Sequence, residues 1–440
     1  MSAFILFLLV GICFASPPPP TAAPLFEGKP FVLIWNGPVS KCKQLQIHLD
    51  MSVFQDVTTP ARVANQSLTL FYKNRIGLFP YTDQHTLKQY NGGIPQRGNL
   101  TESLTKARAE FVKYLPNTSP GLAVIDWEEW LPMFDRSLET MELYRKLSIN
   151  YTRELDPSLT IEQAIRRAKW HFQTNARKYM EKTIGLGLTL RPKYLWGYYL
   201  FPDCHNYEWE DSDYTGKCSE ATKELNDELL WLWKASTALY PSAYLPASMS
   251  QRYEAALFVR NQVQEALRVS ALPKHPSTAP VYVYLRPLFR EQKKLYLSEV
   301  DLVRSIGESA ALGSSGVVLW GSSSDYNDKA SCEALSSYLS DTLNPYIANV
   351  TAAASLCSKM LCQGSGRCVR KNYDSDDYLH LNPESFHIQM NNETYLATGV
   401  LSRGDVIAWA DKFTCQCYAN QTCSAQIPSV LPENPVIIEL

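Results

Sequence analysis

The chain carries almost no excess charge: 42 lysines and arginines stand against 44 aspartates and glutamates, a formal balance of -2 over 440 residues. That balance excludes a basic nucleic-acid binder and an acidic disordered tail. Long apolar runs are equally scarce. After Met1–Ala15 no stretch reaches the roughly 18 apolar residues of a membrane helix. The tail Ile427–Leu440, broken by proline, glutamate and asparagine, offers neither a transmembrane segment nor a lipid-anchor signal. Histidine is sparse, 7 in all and scattered, with no His-Glu-x-x-His, so neither a metal nor a cofactor is expected. Gly92-Gly93 and Gly313–Gly316 lack the lysine of a phosphate loop and read as turns, and no Gly-rich phosphate turn follows an early strand. Neither a Gly-x-Ser-x-Gly elbow nor a Ser/His/Asp order stands out.

What the chain does contain begins with Met1–Ala15, a short apolar run ending in a small residue ahead of Ser16 and four prolines. It reads as a cleaved secretory leader, too short to span a membrane. Its removal takes Cys13 away and leaves ten of the 11 cysteines. An even number in an exported chain points to disulfides, so Cys204-His205 is a poor thiol nucleophile. Sequons at Asn65, Asn99, Asn117, Asn150, Asn349, Asn392 and Asn420 fit the same oxidising, glycosylating route. A secreted, extracellular monomer is expected, with a lysosomal or cell-surface location as variants.

From Phe31 to Gly316 short apolar runs ending in a polar or aromatic residue alternate with longer amphipathic stretches. This rhythm predicts parallel strands at Phe31–Trp35, Leu68–Phe71, Ala123–Ile125, Tyr194–Tyr199, Ala243–Leu245, Val281–Leu285 and Val317–Trp320. Helices fall between them. Thr160-Ile161-Glu162-Gln163 is a capping box, followed by Ile161, Ala164, Ile165, Ala168, Phe172 and Ala176 on one face. Ser103–Leu115 repeats the pattern. About seven such units predict a distorted (β/α) TIM-like barrel over residues 16–350, with chemistry collected at the C-terminal strand ends.

One of those strand ends carries paired acids. In Ala123-Val124-Ile125-Asp126-Trp127-Glu128 the apolar run stops at two carboxylates spaced i and i+2, which strand alternation turns to the same side with Cα atoms about 6.6 Å apart. Each acid feels the other, and the drier one is expected to hold its proton to higher pH, as a general acid needs. Acids among aromatic rings are the usual inventory of a site that splits sugar chains. Two acids on one strand cannot easily flank a sugar ring, so Asp126 is a poor nucleophile. The substrate's own acetamido oxygen is then the expected attacking group, Glu128 the general acid and Asp126 its positioning partner.

From Cys357 the chain becomes cysteine-dense: Cys357, Cys362, Cys368, Cys415, Cys417 and Cys423. Their order resembles an epidermal-growth-factor-like (EGF-like) module, placed at 351–426 with a tail at 427–440. The resemblance implies the pairs Cys357–Cys368, Cys362–Cys415 and Cys417–Cys423. Cys204 with Cys218 would close a short loop after a strand, and Cys42 with Cys332 would tie the first strand's exit to the last. The longer link is worth about 4–5 kcal/mol in the chain-entropy model.

At these residues the sequence resembles the animal hyaluronidases, glycoside hydrolase family 56, most closely the vertebrate sperm-surface and related types. The motifs that carry the likeness are Phe31–Asn36, Ala123–Glu128, Leu195–Cys204, Ala238–Ser242, Gly307–Gly313 and Tyr378–Pro383. The resemblance implies endo-hydrolysis of β-1,4 N-acetylhexosaminide bonds in hyaluronan, and in chondroitin to some degree. It implies Glu128 as proton donor, Asp126 as its partner and Tyr199 beside the acetamido group. Asn36, Tyr72, Asp203, Tyr244 and Trp320 would line the cleft, with Glu291 where relatives often have aspartate. The sequence departs from the family pattern where Leu131 and Gln262 replace arginines, where Phe134-Asp135-Arg136-Ser137 replaces Trp-Ala-Arg-Asn, and at Ser323, where some relatives have tryptophan. Losing an arginine that pairs with a glucuronate carboxylate would cost about 1.5–3 kcal/mol, with Arg260 as a candidate to compensate. The competing expectation is therefore a weak or inactive glycosaminoglycan-binding, cell-recognition protein on the same scaffold.

Overall fold

The computed structural model describes residues 17–136, 139–292, 294–391, 394–432 and 435–439. The expected leader and the sequon at Asn392 lie outside them. Fourteen strands follow in chain order: β1 (Val32–Asn36), β2 (Asp56–Thr58), β3 (Leu68–Tyr72), β4 (Tyr81–Thr82), β5 (Gln89–Tyr90), β6 (Gly121–Asp126), β7 (Tyr194–Tyr198), β8 (Tyr282–Leu285), β9 (Gly316–Trp320), β10 (Gly366–Arg370), β11 (Phe386–Asn391), β12 (Thr394–Gly399), β13 (Phe413–Cys417) and β14 (Val436–Glu439).

The N-terminal three quarters form a mixed α/β fold built on two parallel sheets, ordered β2-β1-β9-β8 and β3-β6-β7. Isolated bridges at Tyr199–Tyr240, Leu239–Val281 and Ser242–Tyr284 join them, so the segment 239–242 stands between β7 and β8. The expected strand at Ala243–Leu245 is thus displaced towards the N-terminus and reduced to bridges. Pro241 has no N–H to give and interrupts the ladder.

Alternation along the strands sorts their side chains into two clusters. Val32, Ile34, Leu68, Leu70, Leu122, Val124, Tyr240, Tyr282, Tyr284 and Val318 pack with one another on the inside. Leu33, Trp35, Phe71, Ala123, Ile125, Val317 and Leu319 face the helices. Side chains from both sheets share the inner cluster, so the strands curl around it; among the described residues no ladder joins β2 to β3. The acid-bearing β6 lies at the centre of its sheet, buried along its whole length.

The helices obey the sequence signals. Thr160 caps Ile161–Leu190 through the expected box, and Ala164, Ala168, Phe172 and Ala176 are buried, followed by Met180 and Ile184. Ile161 and Ile165 stay exposed at 55% and 40%, because the first turns project beyond the packed layer. Asn99 caps Leu100–Tyr114, accepting from the Glu102 amide.

The helix Asn344–Leu361 runs unbroken across the expected 350/351 boundary and carries Cys357 into the C-terminal region. There β10 pairs antiparallel with β13, and β12 lies between β11 and β14, so the tail adds a strand. Disulfides join Cys42–Cys332, Cys204–Cys218, Cys357–Cys368, Cys362–Cys415 and Cys417–Cys423. The chain's first described segment is threaded between the two regions. The Thr278 amide donates to Pro20, the Thr21 amide to Cys417 and the Ala419 amide to Thr21.

A buried ion cluster fastens the region to the parallel sheets. Glu308 is fully buried and accepts from Arg260 Nη2 at 2.6 Å, Arg370 Nη1 at 2.8 Å and the Tyr378 hydroxyl at 2.9 Å. Arg260 also reaches Asp376 at 2.7 Å. It is therefore a structural cation and does not serve as the compensating arginine of the cleft.

Candidate active site

The C-terminal strand ends open onto a groove of about 400 Å³ lined by Tyr72, Asp126, Glu128, Tyr199, Tyr207, Ser242, Tyr244, Arg286, Arg290 and Trp320, among others. Asp126 is the last residue of β6 and Glu128 lies two beyond it. Between and after them Trp127 and Trp130 are 1% exposed and pack on Phe79, with Trp130 Nε1 donating to the Pro80 carbonyl at 2.7 Å. These rings anchor the strand exit and do not stack on a ligand. Burying them on one side leaves the two acids on the other.

The acids differ in environment. Asp126 is 8% exposed, whereas Glu128 is exposed. Burial first, then the charge and hydrogen bond of Glu128, push the Asp126 carboxyl well above the usual carboxylate range. The raised affinity for a proton thus falls on Asp126, the drier of the two. Among the described residues neither acid forms an ion pair, while the next residue, Glu129, pairs with Lys73.

Around the pair the hydroxyl and ring groups are fixed in place. Tyr199, 8% exposed, donates to Ser242 Oγ at 3.1 Å and packs edge-on against Tyr284 at 5.1 Å. Trp320 Nε1 donates to the Tyr72 hydroxyl at 3.2 Å, and Tyr244 stacks on Trp320 at 6.1 Å. Burial pushes the Tyr72 phenol up to about 12, so it remains a neutral hydrogen-bonding group at physiological pH. A floor of fixed phenols and an indole beside an acid pair suits a sugar ring, with apolar faces to stack and hydroxyls to bind.

Size alone would choose another place. A cavity of about 520 Å³ lies between the helix Tyr253–Ala271 and the cysteine-rich region, lined by Arg268, Tyr373 and Gln416. Arg268 is committed there to Glu265 and Asp227, and the acid pair lies in the smaller groove.

Comparison with known proteins identifies the family. A family model described as hyaluronidase, glycoside hydrolase family 56, matches residues 20–427. The chain belongs to the hyaluronidase family. It is 43% identical to Hyaluronidase-5 of Mus musculus over 414 residues, covering 93% of this chain and 78% of that one. Against Hyaluronidase PH-20 of Homo sapiens the figures are 41% over 424 residues, 95% and 82%. Among solved structures, bee venom hyaluronidase in complex with a hyaluronic acid tetramer superposes with a TM-score of 0.64 at 28% identity, covering 72% of this chain and 98% of that one.

Six of the expected site residues meet in this hyaluronidase-family groove: Asp126, Glu128, Tyr199, Tyr72, Tyr244 and Trp320. Three others lie outside its lining. Asn36 is completely buried and donates to Thr58 Oγ1 at 2.9 Å, tying β1 to β2. Asp203 lies behind Tyr207, accepting from its hydroxyl at 2.9 Å and from Gln262 Nε2 at 3.0 Å. Glu291 holds Arg290 Nε at 2.9 Å and the Ala247 amide at 3.1 Å.

The departures from the family pattern also lie away from the groove lining. Gln262 is 1% exposed and its amide joins Cys204, Asp203 and Asn206. Leu131 is half-buried against the core, and Ser323 is exposed elsewhere. The expected penalty for a lost cleft arginine therefore does not arise at Gln262, where the side chain braces a loop. Sequence reasoning missed Arg286 and Arg290. The available signal was two arginines spaced by four immediately after the β8 run, at the strand end where a barrel collects its chemistry.

Proposed function

We propose that this protein is a secreted hyaluronidase cutting β-1,4 N-acetylhexosaminide bonds of hyaluronan, and of chondroitin to some degree, with retained configuration. The observation that carries the proposal is the acid pair Asp126–Glu128, neither member ion-paired among the described residues, facing a groove of fixed phenols and indole. Glu128, the exposed member, gives its proton to the glycosidic oxygen as the sugar C1–O bond breaks. The acetamido carbonyl oxygen of the same sugar attacks C1 and forms a cyclic intermediate. Asp126 orients the acetamido N–H, and the Tyr199 hydroxyl holds the group in place. Water then attacks C1 while the Glu128 carboxylate takes its proton, which restores the acid and the acetamido group.

On this reading residues 16–350 form a distorted (β/α) TIM-like barrel, 351–426 an EGF-like module and 427–440 a tail. The shared inner cluster supports the first and the three C-terminal disulfides the second. Five disulfides and exposed sequon asparagines at 65, 99, 117, 150 and 420 support an extracellular location for a monomer. Among the described residues no helix is long and apolar enough to cross a membrane.

Viscometry and product sizing on hyaluronan and chondroitin from acidic to neutral pH test the activity. Shortening of the polymer is expected; retardation of intact polymer in a gel would favour a binding protein. A covalent sugar adduct on Asp126 would overturn the substrate-assisted route.

A further inference from the structure

We infer that Arg290, with Arg286 beside it, forms a subsite for the uronate carboxylate of the substrate, and that Glu291 is the residue that positions Arg290. The inference rests on the hyaluronidase reading. Hyaluronan alternates a charged uronate with a neutral N-acetylhexosamine, and one groove here holds both an acid pair and two guanidinium groups. An N-acetylhexosamine seated at the acids leaves its neighbouring uronate to meet a cation. Neither Leu131 nor Gln262 lines the groove, so the charge at these two positions does not decide that contact.

The two guanidinium groups are held differently. Arg286 is mostly spent: Nη2 donates to Asp325 at 2.8 Å, Nη1 to the Arg290 carbonyl at 3.2 Å, and the group lies 5.3 Å from the Trp320 ring centre. Its side chain is only 10% exposed. It supplies fixed positive charge to the wall and supports the backbone of Arg290. Arg290 itself is 45% exposed, lies 5.9 Å from the Trp209 ring, and is engaged through Nε alone, by Glu291. Its terminal nitrogens have no acceptor among the described residues.

Glu291 could compete with a substrate carboxylate, yet its other oxygen is tied to the Ala247 amide, which makes it a brace. A guanidinium held at Nε and open at its terminal nitrogens is suited to bidentate pairing with a planar carboxylate. Glu291, read from the sequence as a cleft residue, thus stands outside the groove lining and beside Arg290.

The test measures kcat and KM of the full-length protein on hyaluronan and on carboxyl-reduced hyaluronan, which keeps the linkages and lacks the charge. Arg290→Gln is expected to raise KM for hyaluronan about tenfold, lowering the ratio of kcat/KM between charged and reduced polymer by the same factor. Arg290→Lys recovers part of the ratio. Glu291→Gln moves KM in the same direction on the charged polymer alone, whereas a merely structural role would depress both polymers together. An Arg290→Gln protein with the wild-type ratio, or equal losses on both polymers, overturns the inference and leaves the hydrolase reading standing. A wild-type protein that cuts neither polymer overturns both. Should Arg290→Gln fail to fold, the wild type decides: KM for hyaluronan must rise with salt more steeply than KM for the reduced polymer, and equal slopes refute the subsite.

Discussion

Glu308 and Glu128 are chemically identical side chains in opposite settings. Glu308 is fully buried, and its two oxygens accept from two guanidinium groups and a phenol. Glu128 is exposed, lies against a second acid, and among the described residues has no cation. At the first site the carboxylate's bonding capacity is used up by its buried partners. At the second it is left open to the groove. Compensated charge holds two regions together, and uncompensated charge is available for chemistry.

The comparison predicts that each glutamate fails in its own way. Glu128→Gln should lower the rate of polymer shortening by about 10²–10⁴-fold in viscometry, with an unchanged midpoint in chemical denaturation. A drop in stability of the same protein would mean that Glu128 is structural after all. Glu308→Ala strands two buried arginines, and the expected loss is about 3–5 kcal/mol, read from denaturant unfolding and secreted yield. Wild-type stability of that variant would break the comparison from the other side.

Asp126→Asn sharpens it. Burial and Glu128 raise the Asp126 pKa in the folded state above its unfolded value, so the native state is favoured below the unfolded value. That advantage is lost as pH rises towards the folded value. Asparagine carries no such dependence. The variant should therefore melt about 2 °C or more above wild type near pH 7, with the gap closing near pH 3 in a thermal scan, while activity falls. The smallest effect is assigned to Leu131→Arg, which should change kcat/KM on hyaluronan by no more than about twofold, because Leu131 lies outside the groove lining.

Much of this was legible in the sequence where the signal is local. The acid pair, the strand rhythm and the capping box at Thr160 each depend on residues within a few positions of one another. What could not be read depends on which distant segments meet. Gln262 looked like a lost cleft arginine until the loop from Cys204 to Asn206 was seen to close over it. Arg260 looked like a candidate to replace a lost cleft arginine, and its partner Glu308 lies 48 positions away in the chain. The motifs Gly307–Gly313 and Tyr378–Pro383 carried the family likeness as firmly as the acid-bearing stretch, yet Glu308 and Tyr378 belong to the junction. The bridges at 239–242 were misplaced because apolar pattern alone does not register a missing proline N–H.

The threading of Thr21 sets an order of events during synthesis. Its amide is bonded to Cys417 and its carbonyl to the Ala419 amide, partners that leave the ribosome almost four hundred residues later. The earliest segment can meet Thr278 first, through Pro20, and completes its bonding only when the last cysteines emerge. A nascent chain arrested before Cys415 would hold that segment from the Thr278 side alone, and release of the full chain would close the other side over it.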